Sequence, residues 1–385
     1  MHYDAIIVGA GPVGAALALA ISDCDLNVLA LDARPRGASL RGDRSIALSH
    51  GARLIFERLQ VWCDLATVSG SVTPITSVDV SQVGGFGTTH LSAREQGVPA
   101  LGYVVPYTAL QAALDRALDT ARVAVRYDVD VTSVGATSAY AAVRMGDGVE
   151  SLTARLVVVA DGGTATVPGV SRRREDYGQV AVTARVWTAR PHGGVAYERF
   201  TPDGPLALLP EGDHYGVVWT QLPAQAASTM SLSDADFLRA LAEAFGDRAG
   251  AFTRVAARRS FPLALEVAYP TTLRRTVLIG NAAQALHPVA GQGFNLGLRD
   301  AWDLGRTIGE TPREELGGDR MLARYARRRR VDRRGEIALT HGLVRAFSGD
   351  DNILRWVRGA GLALLDAMPL AKQAFTRAML FGVRL

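Results

Sequence analysis

The sequence predicts an α/β fold in which an antiparallel β-sheet domain is interleaved with a parallel-sheet domain, and a helical region follows both. Three observations lead to this class. The amino end reads as strand, glycine-rich turn, helix and strand; residues 176–268 alternate apolar and polar side chains; and helical periodicity dominates after residue 294. Alternation is typical of half-exposed antiparallel strands, whereas apolar strands joined by helices are typical of parallel sheets.

Composition and charge limit the class of protein. The 385 residues are 48% hydrophobic, which is enough for two domains with real cores. The formal net charge of +4 is too small to indicate a nucleic-acid partner. Cys24 and Cys63 form neither a disulfide framework nor a metal-ligand spacing. We therefore expect a soluble, cytoplasmic globular protein without a metal site, in which both cysteines fill apolar cores.

The uncharged run from Ala5 to Ser22 resembles a signal peptide or a membrane span at first sight. Asp4 precedes it and no Lys or Arg does, whereas a signal peptide begins with positive charge. No other run approaches the roughly twenty apolar residues that a membrane span needs. We interpret the run as part of the folded domain.

The amino end predicts a Rossmann-like βαβ unit. A strand from Tyr3 to Val8, a helix from Gly11 to Ser22 and a second strand from Asn27 to Leu31 have the expected total length. Glycines at 9, 11 and 14 form the G-x-G-x-x-G pattern, which provides a tight turn, close approach of backbone to a pyrophosphate, and close helix packing.

Asp32 ends the second strand, where a carboxylate accepts hydrogen bonds from ribose hydroxyls. The phosphates of a dinucleotide would lie at the positive end of the helix. This pattern alone leaves FAD and NAD as alternatives.

Two later strands end in similar turns. Leu156–Ala160 leads into Asp161-Gly162-Gly163, which taken alone is an ordinary strand exit. Thr276–Ile279 leads into Gly280-Asn281, and a helix follows from about Phe294. Three strand ends that present backbone or short polar groups suit one long extended ligand better than three small ones.

The β-rich middle of the chain predicts an antiparallel sheet that covers the ligand, with residues 233–246 as a helix on its outer side. Pro202-Asp203-Gly204 is a turn signal for a hairpin. The strand Leu206–Leu209 after it either faces the substrate or completes a plain hairpin.

Five stretches carry a resemblance to a known family: GAGPVGAALALA, DRSIALSHGARLIFERLQVW, ADG, ERFTPDGPLALLP and GNAAQALHPVAGQGFNLGLRD. They span almost the whole chain and resemble the class A flavoprotein aromatic hydroxylases, the family of para-hydroxybenzoate hydroxylase. Within that family the ubiquinone-biosynthesis hydroxylases are the most similar branch. The resemblance implies FAD as cofactor, NAD(P)H as electron donor, O2 and a polyprenylated phenol as substrates, and a biosynthetic complex as partner.

The resemblance also implies domains and cofactor contacts. It places the FAD domain at 1–71, 99–175 and 269–345, the substrate domain at 72–98 and 176–268, and a helical tail at 346–385. The implied cofactor-binding residues are Gly9, Gly11, Gly14 and Asp32 for the ADP part, Arg44 and Gln111 for the phosphate or ribityl region, Asp161, Gly280 and Asn281 at the later strand ends, and Gly293 and Asn295 near the last helix.

Two departures from the family pattern affect these expectations. Asn281 stands where the family commonly has Asp, so an amide rather than a charge would meet a ribityl hydroxyl. Ala165 and Pro168 stand where the Asp-Gly motif usually continues to a Ser and a basic residue. The sequence therefore lacks the two side chains through which that motif would contact the nicotinamide nucleotide.

For catalysis, the resemblance points to His287, Pro288, Gly291, Gln292 and Gly293. Backbone amides at a helix start would stabilise the negative charge of a reduced flavin ring. Pro288 would form a wall beside the ring, and His287 either donates a proton or locks the turn.

A proton relay for the phenol would also assist hydroxylation. His214 and Tyr215 are candidates from composition, each with a structural alternative.

Basic residues dominate the carboxyl-terminal part. We interpret residues 324–336 as a helix whose charged face is solvated. Residues 353–385 alternate apolar clusters with basic residues, a pattern of helices that lie on an anionic membrane surface. We expect peripheral attachment to the inner face of the membrane.

Two alternatives to a polyprenyl-phenol hydroxylase stay open. One is a related hydroxylase that acts at another ring position or on a soluble aromatic, and the other is a flavoprotein scaffold without turnover.

Overall fold

The computed structural model describes residues 3–38, 44–67, 72–146, 150–286, 291–347 and 352–382. Strands and helices alternate in the first third, long strands dominate the middle, and helices form the end. The strands of these ranges are β1 (Tyr3–Val8), β2 (Val28–Leu31), β3 (Ser45–Ser49), β4 (Thr73–Ile75), β5 (Ser77–Gln82), β6 (Thr89–Ser92), β7 (Gly102–Pro106), β8 (Ala124–Arg126), β9 (Val131–Ala136), β10 (Ala141–Met145), β11 (Glu150–Val159), β12 (Ser171–Thr188), β13 (Val195–Thr201), β14 (Gly204–Glu211), β15 (His214–Gln221), β16 (Phe252–Tyr269), β17 (Thr272–Leu273), β18 (Thr276–Leu278) and β19 (Gln284–Ala285).

The helices lie mainly at the two ends of the chain. They are α1 (Pro12–Ala20), α2 (His50–Arg58), α3 (Trp62–Thr67), α4 (Ala93–Gln96), α5 (Tyr107–Thr120), α6 (Pro223–Ser231), α7 (Asp234–Phe245), α8 (Gln292–Gly309), α9 (Asp319–Phe347), α10 (Asn352–Ala367) and α11 (Pro369–Phe381).

The first sheet has the order β17-β18-β11-β1-β2-β8, and β10 and β9 extend it from β11. β1 is parallel to both β2 and β11, and β11 is parallel to β18. The carboxyl ends of parallel strands meet at one edge, so the three predicted strand exits are neighbours. On one face, Ile7 and Val158 pack with Leu17 of α1 and Leu298 of α8.

The predicted βαβ unit is confirmed with small changes at its ends. β1 has the predicted bounds, while α1 begins at Pro12, one residue later than predicted, because Gly11 is extended at φ −62° and ψ 177°. Pro at the first helical position has the fixed φ that a helix start needs. The turn between β1 and α1 is therefore as tight as the glycine pattern indicates.

The second sheet has the order β19-β16-β12-β15-β14-β13-β5-β6. Its pairs are antiparallel except β13 with β5, which run parallel. Phe237 of α7 packs on one face against Leu206 and Leu208, as the predicted outer helix requires. Leu209 points to the opposite face, so only part of the Leu206–Leu209 strand faces the first sheet.

The interpretation of residues 324–336 as a solvated face is wrong for its central residues. Arg329 of α9 has a side chain only 6% exposed and forms ion pairs with Asp300 at 2.7 Å, Asp303 at 3.0 Å and Asp332 at 2.8 Å. Glu336 is also buried and pairs with Arg299 at 3.1 Å. A charge that is buried away from water requires an opposite charge beside it. The ion pairs between α8 and α9 provide these opposite charges.

The expectation that both cysteines are buried is also wrong. Cys24 is half-buried and Cys63 is exposed. α3 has only six residues, and it buries Leu65 while its neighbour Cys63 faces outward. A helix of fewer than two turns has room for only a narrow buried stripe.

The carboxyl-terminal helices α10 and α11 pack along the edge of the second sheet and on α2 and α4. Thr89 of β6 donates a hydrogen bond to the carbonyl of Leu362 at 2.8 Å, and the rings of His50 and Phe381 lie 5.8 Å apart. Among the helices that the structure describes, none is long and apolar enough to cross a membrane.

Candidate functional site

A cavity of about 1010 Å³ lies between the two large sheets. At one end it is bordered by the β1–α1 turn and the end of β2, and at the other by the inner face of the second sheet. The turns after β11 and β18 and the start of α8 also border it. Such a volume is at the upper end of the range for ligand sites in proteins, as a dinucleotide with a second substrate requires.

The three glycines of the amino-terminal pattern have different roles. A Cβ on Gly9, whose φ is +100°, would lie 2.6 Å from the carbonyl oxygen of Ala160, and one on Gly14 would lie 1.9 Å from the carbonyl oxygen of Gly9. A Cβ on Gly11 would come no closer than 3.7 Å to the rest of the protein. Gly9 and Gly14 are thus needed for packing, whereas Gly11 leaves space on the cavity side for a ligand.

Asp32 borders the cavity at the end of β2 and is also tied to the glycine turn. Its Oδ2 accepts a hydrogen bond from the Ala10 N–H at 2.7 Å, and the Arg34 side chain donates to both carboxylate oxygens at 2.9 Å. Burial alone raises the pKa of Asp32, but the hydrogen bonds from Arg34 and Ala10 outweigh it and lower the pKa. The carboxylate is therefore charged and fixed in position, and Arg34 is a cavity residue that the sequence reasoning missed.

Gln111 and Arg44 both lie close to Tyr107: Gln111 is one turn farther along α5, and Arg44 packs on the Tyr107 ring. The Gln111 amide donates to the carbonyl of Ala10 at 3.2 Å and to Asp115 at 2.7 Å, and its buried Oε1 has no hydrogen-bond partner among the described residues. The Arg44 guanidinium lies 4.8 Å from the centre of the Tyr107 ring and borders the cavity. Gln111 thus supports the glycine turn from behind, while Arg44 offers a positive charge.

Asp161 closes the turn after β11. Its Oδ1 accepts from the Gly163 N–H at 2.8 Å, and its Oδ2 accepts from the Ala165 N–H at 2.6 Å and the Thr164 hydroxyl at 2.9 Å. Asp161 and Gly162 border the cavity. The carboxylate therefore shapes the turn with bonds to its own loop, and Ala165 takes part through its backbone.

The turn after β18 is held by a carboxylate from α8. The Gly280 N–H donates to Asp300 at 3.2 Å, and the Gln284 amide donates to the same oxygen at 2.7 Å. A Cβ on Gly297 would lie 2.9 Å from the Cα of Gly280, so α8 packs closely beneath the turn. Asn281 is exposed and borders the cavity.

The start of α8 faces the cavity without a capping side chain. Gly291, at φ +62°, is the N-cap, and Gly291 and Gly293 both border the cavity. The first N–H groups of a helix lack partners within the helix, so they favour a negative charge. α1 likewise begins at the cavity without a side-chain cap. Two uncapped helix starts on one elongated cavity fit an anionic dinucleotide.

Asn295 and Gln292 orient this helix start. The Asn295 amide donates to the carbonyls of Ala47 at 3.1 Å and Gly291 at 2.9 Å, and its oxygen accepts from the Ser49 N–H at 2.9 Å. Gln292 points away, towards the carbonyl of Met379 at 3.5 Å. Both side chains therefore contact protein, and of Gly291, Gln292 and Gly293 only the two glycines border the cavity. His287 and Pro288 lie outside the described residues.

The two candidate relay residues on the second sheet differ in position. Tyr215 is buried on the face away from the cavity, with its ring 6.1 Å from that of Tyr197, and this burial raises its pKa. His214 lies beside Glu211, a buried carboxylate that borders the cavity. Sequence reasoning missed Glu211, Asp300 and Arg329, because Ser45, Gly280 and Asp300, which respectively contact them, are distant in the chain. The acidic Glu211 at the end of an otherwise apolar strand was an available signal.

A family model described as "FAD binding domain" matches residues 2–335 of the chain. The chain is 34% identical to ubiquinone hydroxylase UbiL of Rhodospirillum rubrum, over 97% of this chain and 88% of that protein. It is 30% identical to the 3-demethoxyubiquinol 3-hydroxylase of Escherichia coli, over 97% of each.

Among solved structures, p-nitrophenol 4-monooxygenase PnpA of Pseudomonas putida superposes with a TM-score of 0.78 and covers 99% of both chains at 18% identity. PqsL of Pseudomonas aeruginosa, a probable FAD-dependent monooxygenase, gives a TM-score of 0.77 over 94% of this chain and 99% of that chain, at 20% identity. These two likenesses show the fold.

Proposed function

Because the chain belongs to the FAD binding domain family, in the branch of the ubiquinone-biosynthesis hydroxylases, it is an FAD-dependent aromatic monooxygenase, and we propose that it hydroxylates a polyprenylated phenol. One observation carries this proposal: a single cavity joins the glycine turn at Gly11 to the inner face of the second sheet at Leu209. A cofactor and an apolar ring can therefore meet within it.

The residues of the cavity fit FAD. We propose that Gly11 and Asp32 meet its ADP part, that Gly9 and Gly14 shape the turn that holds it, that Arg44 meets its phosphates, and that Gly280 and Asn281 meet pyrophosphate and ribityl. Gln111, Asp161 and Asn295 would act mainly by fixing the backbone around these contacts. In the corresponding division of the chain, residues 1–71, 99–175 and 269–345 form the FAD domain, 72–98 and 176–268 the substrate domain, and 346–385 the helical tail.

When bound and reduced by a donor such as NAD(P)H, FAD supplies the activation of O2 and the transfer of one oxygen atom to the ring. The protein contributes position, exclusion of water and charge stabilisation. The amides at Gly291, Gln292 and Gly293 would stabilise negative charge at the flavin ring. Leu209 and Val218 give the second sheet an apolar surface against which an aromatic ring would lie.

We propose that the substrate is a 2-polyprenyl-6-methoxyphenol and that the chain catalyses the reaction of 2-polyprenyl-6-methoxyphenol hydroxylase. A hydroxylase for another ring position is the second candidate, supported by the 30% identity to the enzyme named 3-demethoxyubiquinol 3-hydroxylase. The test is to supply the purified holoenzyme with NAD(P)H, isotopically labelled O2 and short-chain analogues of both substrates. We expect labelled product from the 6-methoxyphenol analogue at least tenfold faster than from the other. A flavin-loaded protein that turns over neither phenol would instead be a scaffold.

We further propose that the helical tail attaches the enzyme to a membrane surface, from which a water-insoluble substrate would enter. Trp356 is 68% exposed and Leu370 is 83% exposed, although both are large and apolar. Exposed apolar side chains on adjoining helices are typical of interfacial attachment.

Leu370→Glu should lower the fraction of protein that floats with anionic liposomes by roughly tenfold, because transfer of a leucine side chain contributes about 1.5–3 kcal/mol. Leu222→Glu is the matched control, since Leu222 is exposed at the start of α6 on another part of the surface. Flotation of Leu370→Glu at the wild-type level, or no flotation of the wild type at low salt, would contradict this attachment.

A further inference from the structure

The hairpin between β14 and β15 connects the cavity with solvent. Glu211 ends β14 and His214 begins β15, and the two residues are direct partners across the turn. Glu211 is buried and borders the cavity, whereas the side chain of Asp213 at the tip of the turn is 78% exposed. Three adjacent titratable groups therefore lead from the inside of the cavity to the surface.

The contacts between these groups form a chain. The Ser45 hydroxyl donates a hydrogen bond to Oε1 of Glu211. His214 Nε2 lies 3.6 Å from Oε2 of Glu211 and has no hydrogen-bond partner among the described residues, although it is buried. His214 Nδ1 lies 3.1 Å from Oδ1 of Asp213. Catalytic contacts are often this long before the substrate binds.

The hairpin that carries this chain is held from both sides. The Gly212 N–H donates to the hydroxyl of Thr73 at 2.8 Å, and the carbonyl of Gly212 contacts Nε2 of His192 at 2.9 Å. Neither Thr73 nor His192 borders the cavity. The positions of Glu211 and His214 are thus fixed by residues that have no part in the chain itself.

The charges around the pair favour an ionised state. Burial raises the pKa of Glu211, but the adjacent His214 and the hydrogen bond from Ser45 outweigh it and lower the pKa. Burial lowers the pKa of His214, but Glu211 and Asp213 outweigh it and raise the pKa above the ordinary 6.5. Two cationic groups lie near the pair: Arg185, which borders the cavity and opposes protonation of His214, and Arg254, which lies over the Trp187 ring beside His214.

We propose that Glu211 and His214 form a proton relay that carries the phenolic proton of the substrate from the cavity to solvent, with Asp213 at the exit. This role rests on the proposed function, because it requires a phenol in the cavity. A phenol becomes a stronger nucleophile towards electrophilic oxygen as its proton leaves. Glu211 is on the second sheet, which is the side of the cavity that we assign to the substrate.

The relay is balanced in each cycle. The Glu211 carboxylate accepts the proton from the phenol oxygen, which becomes phenolate. In the neutral His214 imidazole the proton is on Nδ1, so Nε2 accepts the proton from Glu211, and the imidazolium then releases its Nδ1 proton to Asp213 and water. The imidazole regains its Nδ1–H form by proton exchange with water. The pair returns to carboxylate and neutral imidazole, and one proton has left the cavity without any change in oxidation state.

The test measures proton release directly. Oxidised holoenzyme is mixed with a short-chain phenol in weak buffer that contains a pH indicator, so no turnover is involved. Wild-type protein should release up to one proton per bound phenol, at a rate that increases as pH rises through the pKa of His214. Glu211→Gln and His214→Asn should each slow this release and the hydroxylation step by about 100-fold. The inflection above pH 6.5 should be absent in His214→Asn.

Two further variants separate a relay from a structural role. Added imidazole should restore proton release to His214→Ala, because it can occupy the vacated space and carry the proton. His192→Asn is the matched control for the hairpin and should keep release within about threefold of wild type. Release at the wild-type rate in both Glu211→Gln and His214→Asn overturns the relay. Proton release by a wild type that forms no product would contradict the proposed function and leave the relay standing.

Discussion

A valine in place of Gly11 is expected to give a folded but colourless protein. The protein itself has room for this side chain, because a Cβ at position 11 meets no heavy atom closer than 3.7 Å and the backbone is extended there. The added methyl groups would occupy the cavity side of the turn, where we propose that the ADP part of FAD approaches the backbone. We expect FAD affinity to fall at least 100-fold, since an overlap of this kind costs about 3 kcal/mol.

The measurement compares visible flavin absorbance with far-ultraviolet circular dichroism and the melting temperature of the cofactor-free protein. Gly14→Ala provides the contrast, because its Cβ would lie 1.9 Å from the carbonyl oxygen of Gly9 and the fold itself should fail. Gly11→Val that remains yellow after dialysis would show that the cofactor does not lie against this turn.

Replacing Arg329 by Ala is expected to destabilise the folded state by about 3–5 kcal/mol, because it leaves buried carboxylates without their counter-charge. Arg329 pairs with three carboxylates, and one of them, Asp300, also holds the Gly280 turn. We therefore expect the variant to bind FAD more weakly as well. Equilibrium unfolding in urea measures the first effect and flavin titration the second.

The neighbouring Arg328 is a matched control on the same helix. It pairs with Glu310, which is 42% exposed, and donates a hydrogen bond to the Thr307 hydroxyl at 3.1 Å. An exposed ion pair contributes about 0–1 kcal/mol and a hydrogen bond about 0.5–1.5 kcal/mol, so we expect a loss of about 2 kcal/mol or less. Arg328→Ala should therefore unfold within that margin of the wild type. Equal free energies of unfolding for the two variants would mean that the buried ion pairs of Arg329 contribute no more to stability than the exposed pair of Arg328.

The parts of the fold that were predictable have short-range causes. The βαβ unit follows from apolar strands, a glycine turn and Pro12, all within about thirty residues, and the hairpin at Pro202–Gly204 follows from its turn residues. The β5–β13 pair illustrates the limit. Nothing in either strand indicates whether its neighbour runs parallel, because that choice depends on how distant segments cross the sheet.

The candidate site also has a part that the sequence predicts and a part that it does not. Glycines mark the three turns in the sequence, since backbone conformation and close packing require them at those positions. The side chains that hold the turns cannot be read in the same manner. The stretch 324–336 has many arginines, and only the position of α8 determines that Arg329 is buried while Arg328 reaches the surface. Glu211 acquires a role only because Ser45 and His214 approach it in space.

The arrangement of the first sheet has a consequence for how the protein matures. β1 lies beside β11, and β11 lies beside β18, so three adjacent strands come from residues 3–8, 150–159 and 276–278. Contacts that distant raise the contact order, and a high contact order slows folding because long loops must close first. The glycine turn is synthesised early, but the turn after β18, to which we assign part of the FAD contacts, is added only after residue 276. We therefore expect FAD to bind late in folding, and we expect an amino-terminal fragment that carries the glycine motif to lose flavin on dialysis.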